Sequence, residues 1–490
     1  MGKAHLLIWY DTEDYVHPAS DEAALRIADL HSQHDVRATF KVVGEKARVL
    51  RDRGRADVID ALARHDIGYH TDRHSVHPVV TEYCEGLPWH QGEALFRAQE
   101  TAGLHDVRRI FGRPITTFGQ PGGAWAPQMY PSLRDWGVPT YVDDGAWIGL
   151  DERPFWYMGL LHVFRMGRPP RFSPAEPGSE LDALTRLRRQ VRAVEDDGGG
   201  VISIYYHPCE WSTDVFWDAL NFADGRNPAA RWLADSDWPR LTYDTQLPAT
   251  PPAGELARRY EALDRWLSGV ARLDAPSIGC SELPALYPDR ALRRYYGLEE
   301  LVEATADWVD TVGYARVEQG WLTAGELLMA MVRLVAPCDL PPGKPPRLGR
   351  ALSVDGPHRA GPRLAEPLVV GANDLLEAAG WLCRHCAAEG DPRSETISHA
   401  LPPAVPVANQ PVAPEELLLG LVRLLRSVAA HGDLPASVEL GPTHLAPAEH
   451  IRGGQGCFGW DCFPTGFDAP QVIAHARRQA WTLKPAALVG

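Results

Sequence analysis

The stretch that decides the fold reads Ile67-Gly68-Tyr69-His70-Thr71-Asp72-Arg73-His74. Its first three residues end a short run of strand type, and the two histidines follow directly. Two imidazoles four residues apart lie on one side of a helical turn, so both could hold the same ion. We therefore predict a metal site directly after a strand, with His70 and His74 among its ligands.

An acidic cluster, Asp11-Thr12-Glu13-Asp14, follows the apolar run of residues 6–10. One carboxylate could bind the metal while another acts as a general base, and the alternative is an acidic cap on the next helix. Side chains alternate along a strand, so Asp11 and Glu13 share a face if the strand continues. If the strand ends at Asp11, the side chain of Asp14 can swing back to the metal instead.

A third segment places His207 after a run of strand type, residues 201–206, and shortly before Glu210. A histidine at the end of such a strand could protonate a departing amine, and Glu210 could orient it. The histidine pair, the acidic cluster and His207 together are the parts of a metal-dependent hydrolase with an open coordination position.

These three segments belong to a region, residues 1–293, in which strands and helices alternate. Predicted strands cover residues 4–10, 36–43, 66–70, 115–118, 140–142, 201–206 and 276–280, and predicted helices cover residues 21–33, 57–64, 181–194 and 253–271. The alternation predicts an α/β fold with a mostly parallel sheet or barrel. In such folds the site lies at the carboxyl ends of the strands.

Residues 294–490 form a second predicted region, which is mainly helical with proline-rich connections. A weak internal repeat relates residues 322–328 to residues 412–418, and each copy begins an amphipathic helix that carries Val-Arg-Leu. Repeated helical units bury their apolar faces against one another, which suggests a binding module. A helical appendage that only packs on the first region would explain the same pattern.

With these motifs, the first 290 residues resemble the polysaccharide deacetylase family, the NodB-homology domain of carbohydrate esterase family four. The acidic cluster corresponds to the first motif of that family, residues 67–74 to its His-Ser/Thr-x-x-His motif, and residues 203–207 to its late histidine motif. Residues 38–44 correspond to its Ala-Thr-Phe-Phe strand. The resemblance implies a distorted (β/α) barrel, a divalent metal ion and hydrolysis of an N-acetyl or similar amide bond.

The resemblance also implies roles for individual residues: Asp14, His70 and His74 as metal ligands, Asp11 as the base and His207 as the acid. The first motif reads Asp-x-Glu-Asp rather than Asp-Asp-Gly, so two alignments stay open. One makes Glu13 the base, and the other makes Glu13 the metal ligand. Two histidines and a carboxylate with an open position suit zinc, and also cobalt, nickel or iron.

The third family motif, Arg-x-Pro-x-Gly, departs from the pattern more strongly. Here it reads Gly119-Gln120-Pro121-Gly122-Gly123, so the arginine that orients the catalytic base of the family is missing. Gln120 or Arg134 could substitute for it. This departure bears on substrate and activity rather than on the fold.

The leading function is therefore hydrolysis of a non-peptide C–N bond, by N-deacetylation of an acetylated sugar or polysaccharide. One alternative is a small-molecule amide or imide hydrolase on the same fold, and another is a catalytically silent carbohydrate-binding or scaffold protein. Four tryptophans on predicted loops could form a platform for sugar stacking, or could simply pack the loops: Trp89, Trp125, Trp147 and Trp211.

Net charge and hydropathy limit the classes of partner that the protein is expected to bind. The formal net charge of −15 is unfavourable for nucleic acid, because phosphate contacts need clustered Lys and Arg. No apolar run is long enough to span a bilayer, and the N-terminal residues lack the pattern of a secretory signal, so we predict a cytoplasmic protein without membrane contact. The C-terminal helical units also faintly resemble cell-wall-binding repeats, and this resemblance implies contact with a cell-envelope polymer. Export by another route or a wrongly assigned start site would reconcile that contact with the missing signal.

Overall fold

The structure is a computed structural model that describes residues 2–143, 145–164, 170–217, 247–336, 348–388, 400–460, 463 and 466–489. Up to residue 293 strands and helices alternate. The strands are β1 (Ala4–Thr12), β2 (Thr39–Val42), β3 (Asp66–Tyr69), β4 (Ile115–Phe118), β5 (Thr140–Tyr141), β6 (Phe155–Tyr157), β7 (Leu160–His162), β8 (Gly200–Tyr206) and β9 (Ser277–Ile278). The helices are α1 (Ala19–Gln33), α2 (Gly44–Asp52), α3 (Ala56–Leu62), α4 (Val80–Glu85), α5 (Trp89–Phe111), α6 (Tyr130–Asp135), α7 (Ser179–Asp196), α8 (Ala253–Val270) and α9 (Leu283–Leu286).

Beyond residue 293, short strands separate the helices. The strands are β10 (Tyr295–Tyr296), β11 (Thr311–Val312), β12 (Ala315–Val317), β13 (Gly320–Leu322), β14 (Gly349–Arg350), β15 (Leu368–Gly371), β16 (Val405–Val407), β17 (Gln410–Val412), β18 (Ser437–Leu440), β19 (His444–Leu445) and β20 (Lys484–Pro485). The helices are α10 (Leu298–Glu303), α11 (Ala324–Val335), α12 (Ala372–Ala388), α13 (Pro414–His431) and α14 (Pro470–Arg478). None of the described helices combines the length and the hydropathy that crossing a lipid bilayer requires.

One sheet organises the molecule. Its strands lie in the order β20-β6-β7-β5-β4-β3-β2-β1-β8, and β9 pairs with the first half of β1. The pairs from β8 to β5, and the pair β5–β7, are parallel, whereas β6 runs antiparallel to both β7 and β20. This curled, mostly parallel sheet confirms the predicted distorted (β/α) barrel.

Both faces of β1 are buried, as its apolar run of residues 6–10 requires. On one face Ile8 and Tyr10 belong to the large core that contains the helices. On the other face Leu7 and Trp9 belong to a smaller core inside the curl of the sheet. Because side chains alternate, Asp11 shares the inner face with Trp9, and this face leads to the carboxyl ends of the strands.

The predicted strands agree with the observed ones to within a few residues, and residues 115–118 coincide with β4. The sequence pattern missed the 23-residue helix α5, which contains Gly92 and Gly103. Glycine inside a helix lowers its intrinsic stability, which makes a helix that contains two glycines harder to recognise from sequence. In the structure, neighbouring elements approach α5 closely at both glycines.

Two hairpins of the C-terminal region each lead into a helix. The antiparallel pair β12–β13 precedes α11, and the antiparallel pair β16–β17 precedes α13. Each helix begins with the same cap, in which a glutamate carboxylate accepts from the backbone N–H three residues earlier: Glu326 from Thr323, and Glu416 from Ala413. The internal repeat and its binding role stay predictions.

The C-terminal region also contacts the first region at several buried points. β20 extends the sheet by pairing with β6. Arg134 on α6 donates from both terminal nitrogens to Asp355, at 2.7 and 2.6 Å. The hydroxyl of Tyr157 in β6 donates to the carbonyl oxygen of Ala476, at 3.1 Å. Residues on both sides of position 293 therefore share one core.

Candidate active site

The predicted site residues meet at the carboxyl ends of the parallel strands. Asp11 lies near the end of β1 and Glu13 follows that strand, while His70 follows β3 and His207 follows β8. The side chains of Asp11, Glu13 and His70 are at most 3% exposed, and that of His207 is 15% exposed. Among these four, His207 is the side chain that solvent reaches most easily.

The two histidines of the second motif do not lie on a helical turn, as the sequence analysis expected. Residues 70–75 form a loop in which Thr71 and His74 adopt positive φ angles of 63° and 58°, values outside the right-handed helix. The first backbone N–H groups of α2 donate to the carbonyl oxygens of Thr71 and Asp72 and hold this loop. The loop brings the rings of His70 and His74 to 5.1 Å between centroids, so the pair still converges.

Glu13 is the carboxylate that joins the two histidines. Its Oε2 lies 3.1 Å from Nε2 of His70 and 2.9 Å from Nε2 of His74. The other ring nitrogen of His70, Nδ1, donates to the carbonyl oxygen of Gly119 at 2.8 Å, which leaves Nε2 as its ligand atom. On the far side, the indole N–H of Trp217 donates to Oε1 of Glu13.

Asp14 points away from this pair. Its Oδ1 accepts from the backbone N–H groups of Val16 and His17, at 3.0 Å each, in the turn before α1. The strand continues through Thr12, so alternation places Asp11 and Glu13 on the site side. The structure therefore brings Glu13, and not the Asp14 carboxylate, to the histidines.

Asp11 lies between the histidines and a buried ammonium group. Its Oδ1 is 2.9 Å from Nζ of Lys41 and 3.7 Å from Nε2 of His70. Its Oδ2 is 3.7 Å from Nε2 of His207. Burial raises the pKa of Asp11, but the neighbouring His70 and Lys41 outweigh burial and hold the pKa below its usual value. Asp11 is thus a carboxylate with one oxygen paired and the other directed to His207.

His207 is oriented by Glu210, as the sequence analysis proposed. Oε1 of Glu210 lies 2.8 Å from Nδ1 of the imidazole and accepts from the backbone N–H of His207 at 2.9 Å. Burial lowers the pKa of His207, but the carboxylates of Glu13, Glu210 and Asp11 outweigh burial and raise the pKa above its usual value. This environment favours an imidazolium whose Nε2 faces the carboxylates of the site.

The four tryptophans predicted as a sugar platform are packed in the core instead. Each is at most 2% exposed: Trp89, Trp125, Trp147 and Trp211. Two other tryptophans line the site. Trp217 lies 4.8 Å from the ring of His74, and Trp460 contacts the same ring edge-on at 5.7 Å. A residue of the C-terminal region therefore forms part of the wall of the site.

Both candidates for the missing third-motif arginine form hydrogen bonds with residues other than Asp11. Arg134 is engaged with Asp355, and the Oε1 of Gln120 accepts from the hydroxyl of Tyr141 at 2.6 Å. The cation beside Asp11 is Lys41, which sequence reasoning did not assign to the site. A lysine between the apolar residues Phe40 and Val42, inside the predicted strand of residues 36–43, is the feature that could have identified it.

Three groups of side chains offer ligand atoms that all lie within 4.8 Å of one another in the described part of the chain: Glu13 with His70 and His74, Asp11 with His70 and Asp143, and Asp11 with Glu13 and His207. The first group has the donor chemistry of a transition-metal site, with two imidazole nitrogens and one carboxylate. The residues present therefore fit a divalent metal ion, and the other two groups supply carboxylates and an imidazole around it.

Comparison with known proteins gives matches at the level of solved structures. No protein-family model matches the chain, and no curated protein sequence matches it. A Mycobacterium smegmatis protein assigned as a polysaccharide deacetylase is 16% identical with a TM-score of 0.36; the match covers 58% of this chain and 90% of that one. A carbohydrate esterase family 4 pseudoenzyme from Bacillus anthracis is 13% identical with a TM-score of 0.31, over 57% of this chain and 65% of that one.

A family 4 acetyl xylan esterase from Clostridium thermocellum, solved in complex with a cobalt ion, is 14% identical with a TM-score of 0.30, over 58% of this chain and 91% of that one. The family whose motifs the sequence resembles is represented among the solved structures that are similar to it.

Proposed function

We propose that this protein is a metal-dependent hydrolase that removes an acyl group from an amide nitrogen, with an N-acetylated carbohydrate as its substrate. One observation carries the proposal. Glu13 Oε2 meets the Nε2 atoms of His70 and His74 at 2.9–3.1 Å, and the Asp11 carboxylate and the His207 imidazole border this trio. A structural histidine cluster would not need a second carboxylate, Asp11, and a carboxylate-bound imidazole, His207, beside it.

Glu13, His70 and His74 would hold the metal ion. This assignment takes the alternative in which Glu13, and not Asp14, is the carboxylate ligand. A divalent ion bound there would polarise the amide carbonyl and lower the pKa of a water molecule. Zinc suits the donor set, and cobalt, nickel and iron suit it as well. The bond from His70 Nδ1 to Gly119 fixes the ring so that Nε2 faces the Glu13 carboxylate and would be free to bind the ion.

Asp11 and His207 would carry the protons. Asp11 has its Oδ1 beside Lys41, so Oδ2 is the oxygen that can accept a proton from the attacking water. His207, held by Glu210, would donate its Nε2 proton to the departing nitrogen. An amine is a poor leaving group unless it is protonated, and this explains an acid in the site.

The sequence motifs support the substrate class, because they resemble those of deacetylases that act on acetylated sugars. The side chains of the site are buried, and even the most exposed of them, His207, is mostly covered. A site with so little open surface supports a small acyl group. A small-molecule amide hydrolase would use the same groups. A panel of N-acetylglucosamine oligomers and small amides, assayed for released acid, decides between the two.

The first experiment measures bound metal by inductively coupled plasma mass spectrometry, together with turnover on that panel. We expect about one equivalent of a transition metal in the wild type, and loss of metal and turnover together in His70→Ala and His74→Ala. Exposed His105 on α5 provides the control, because His105→Ala should keep both.

A third variant separates metal binding from proton transfer. His207→Ala should keep the metal and lose turnover by about 10²- to 10⁴-fold, the usual contribution of a general acid. Wild-type protein that holds no metal after reconstitution would contradict the proposal. Metal without turnover on any substrate of the panel would favour the catalytically silent alternative.

A further inference from the structure

Lys41 is a completely buried lysine whose role the proposed function does not yet include. Its Nζ lies 2.9 Å from Oδ1 of Asp11, forms a second ion pair with Asp143, and donates to the carbonyl oxygen of Val142 at 2.9 Å. The ammonium also lies 4.1 Å from the ring centre of Trp9. A buried charge is costly unless it is paired, and here both carboxylate partners are buried too.

The sheet explains how Lys41 reaches the site. Asp11 and Lys41 are direct partners in the parallel pair β1–β2, so their side chains leave adjacent strands on the same face. From there the lysine extends across the inside of the sheet to Asp143, which follows β5. The ammonium therefore joins the carboxyl ends of three different strands.

Gly119 leaves the space in which the ammonium lies. A Cβ atom built at position 119 would collide with Nζ of Lys41, and would lie 2.5 Å from Oδ2 of Asp143 and 2.7 Å from the carbonyl oxygen of Val142. The backbone of Gly119 is fixed, because its N–H donates to the carbonyl oxygen of Tyr69 and its own carbonyl oxygen accepts from His70. A side chain at 119 would therefore displace the ammonium of Lys41 from its present place and would also press on the Val142 carbonyl group.

We propose that Lys41 is the positioning residue for the base Asp11. Its ammonium group supplies the positive charge that a cationic side chain at position 119 would otherwise supply. The ammonium holds Oδ1, and this directs Oδ2 toward the reacting groups. Asp143 holds the ammonium in turn. The role assigned to Lys41 in catalysis rests on the proposed function, whereas the clash between Lys41 and a side chain at position 119 is a matter of geometry. Position 119 is also where the third motif would have its arginine.

The test exchanges the cation between the two positions. The variants are Lys41→Met, Lys41→Arg, Gly119→Arg and the double variant Lys41→Met with Gly119→Arg. Each is assayed for the urea midpoint of unfolding, bound metal, kcat and KM. Lys41→Met should keep the metal and KM within about threefold while kcat falls about 100-fold, because the metal ligands are untouched and the base is misaligned.

Gly119→Arg alone should unfold at lower urea than the wild type, since two cations then compete for one space. The double variant should unfold at higher urea than Gly119→Arg and recover kcat to within about tenfold of the wild type. Lys41→Arg should retain more kcat than Lys41→Met. If Lys41→Met does not fold, the double variant decides alone, because its activity requires a cation from position 119.

Two results would overturn the inference. One is a Lys41→Met enzyme with wild-type kcat. The other is a double variant that recovers stability but not kcat, which would make Lys41 a structural residue only. Failure of the proposed function looks different, because the wild type itself would then lack metal and turnover. An active wild type with a double variant that is stable but not rescued in kcat leaves the proposed function intact and removes Lys41 from it.

Discussion

Glu100 is a buried carboxyl group that packs directly behind the histidine loop. It accepts from the hydroxyl of Tyr69 at 2.6 Å and from the backbone N–H of Asp72 at 2.8 Å. Burial raises its pKa to about 8, and the charge of Asp72 adds to the effect. The folded protein therefore keeps a proton that the unfolded chain releases above pH 4.5. This contribution to stability is complete at low pH and is lost as the pH rises toward 8.

Glu100→Gln removes this pH dependence, because glutamine keeps an oxygen acceptor and does not ionise. We expect the free energy of unfolding of the wild type to fall, relative to that of the variant, by on the order of 3 kcal/mol between pH 5 and pH 8. Urea titrations at pH 5, 6.5 and 8 measure the difference. Exposed Glu299→Gln on α10 is the control and should follow the wild type. Parallel curves for the wild type and Glu100→Gln would contradict the assignment.

Individual residues of the site were predictable from the sequence where their position depends on a single strand. Asp11 and Glu13 share a face by alternation, and His207 follows its strand. The choice between Glu13 and Asp14 depends on where β1 ends, which a short apolar run does not define. The partners of Lys41 come from β1 and β5, so only the curl of the sheet brings them together.

At the scale of elements, the histidine loop depends on the close approach of two helices. A Cβ at Gly103 of α5 would lie 2.6 Å from the hydroxyl of Tyr69 and 2.7 Å from Cβ of Asp72. A Cβ at Gly44, the first residue of α2, would lie 2.8 Å from Cα of Gly103. The two glycines let α2 and α5 approach each other with Asp72 of the loop between them.

Gly103→Ala should therefore destabilise the protein by about 1–3 kcal/mol, the usual cost of overpacking a core, and weaken metal binding by displacing the loop. Chemical unfolding and metal titration measure the two effects. Gly254→Ala is a matched control in α8, where a Cβ would meet no atom within 4 Å. There the gain in helix propensity should leave stability equal or slightly higher. Equal behaviour of the two variants would show that the approach at Gly103 is not required.

Elements were predicted well where a buried strand alternates with an amphipathic helix, and poorly where packing overrides local preference. The loop at residues 70–75 is held by hydrogen bonds from α2 and by contact with α5, both distant in sequence. Helical spacing of His70 and His74 thus identified two side chains that converge, but predicted the wrong local structure for them. The helix α5 was missed because its glycines serve packing between helices rather than helix propensity.

At the scale of the whole molecule, the first region depends on the second. β20 forms an edge of the sheet, and Asp355 neutralises Arg134, which is nine-tenths buried. Lys484, in β20, is buried between Glu326 and Asp289, at 2.7 Å from each. Trp460 covers the histidine side of the site. The sequence changes character near residue 293, but the apolar core does not end there.

A chain that ends at residue 293 should therefore fail to fold cooperatively, because it loses β20, exposes the core that β20 and α14 cover, and leaves Arg134 unpaired. The full chain should unfold with coincident transitions in tryptophan fluorescence and far-ultraviolet circular dichroism, whereas the shortened chain should show no sharp transition and should bind a hydrophobic dye. Lys484→Met in the full chain is the milder test, since it leaves the buried carboxylate of Glu326 and the partly buried carboxylate of Asp289 without their cation and should lower the urea midpoint. A shortened chain that unfolds cooperatively and retains metal would show that residues 1–293 are an independent domain, with the remaining residues only packed against it.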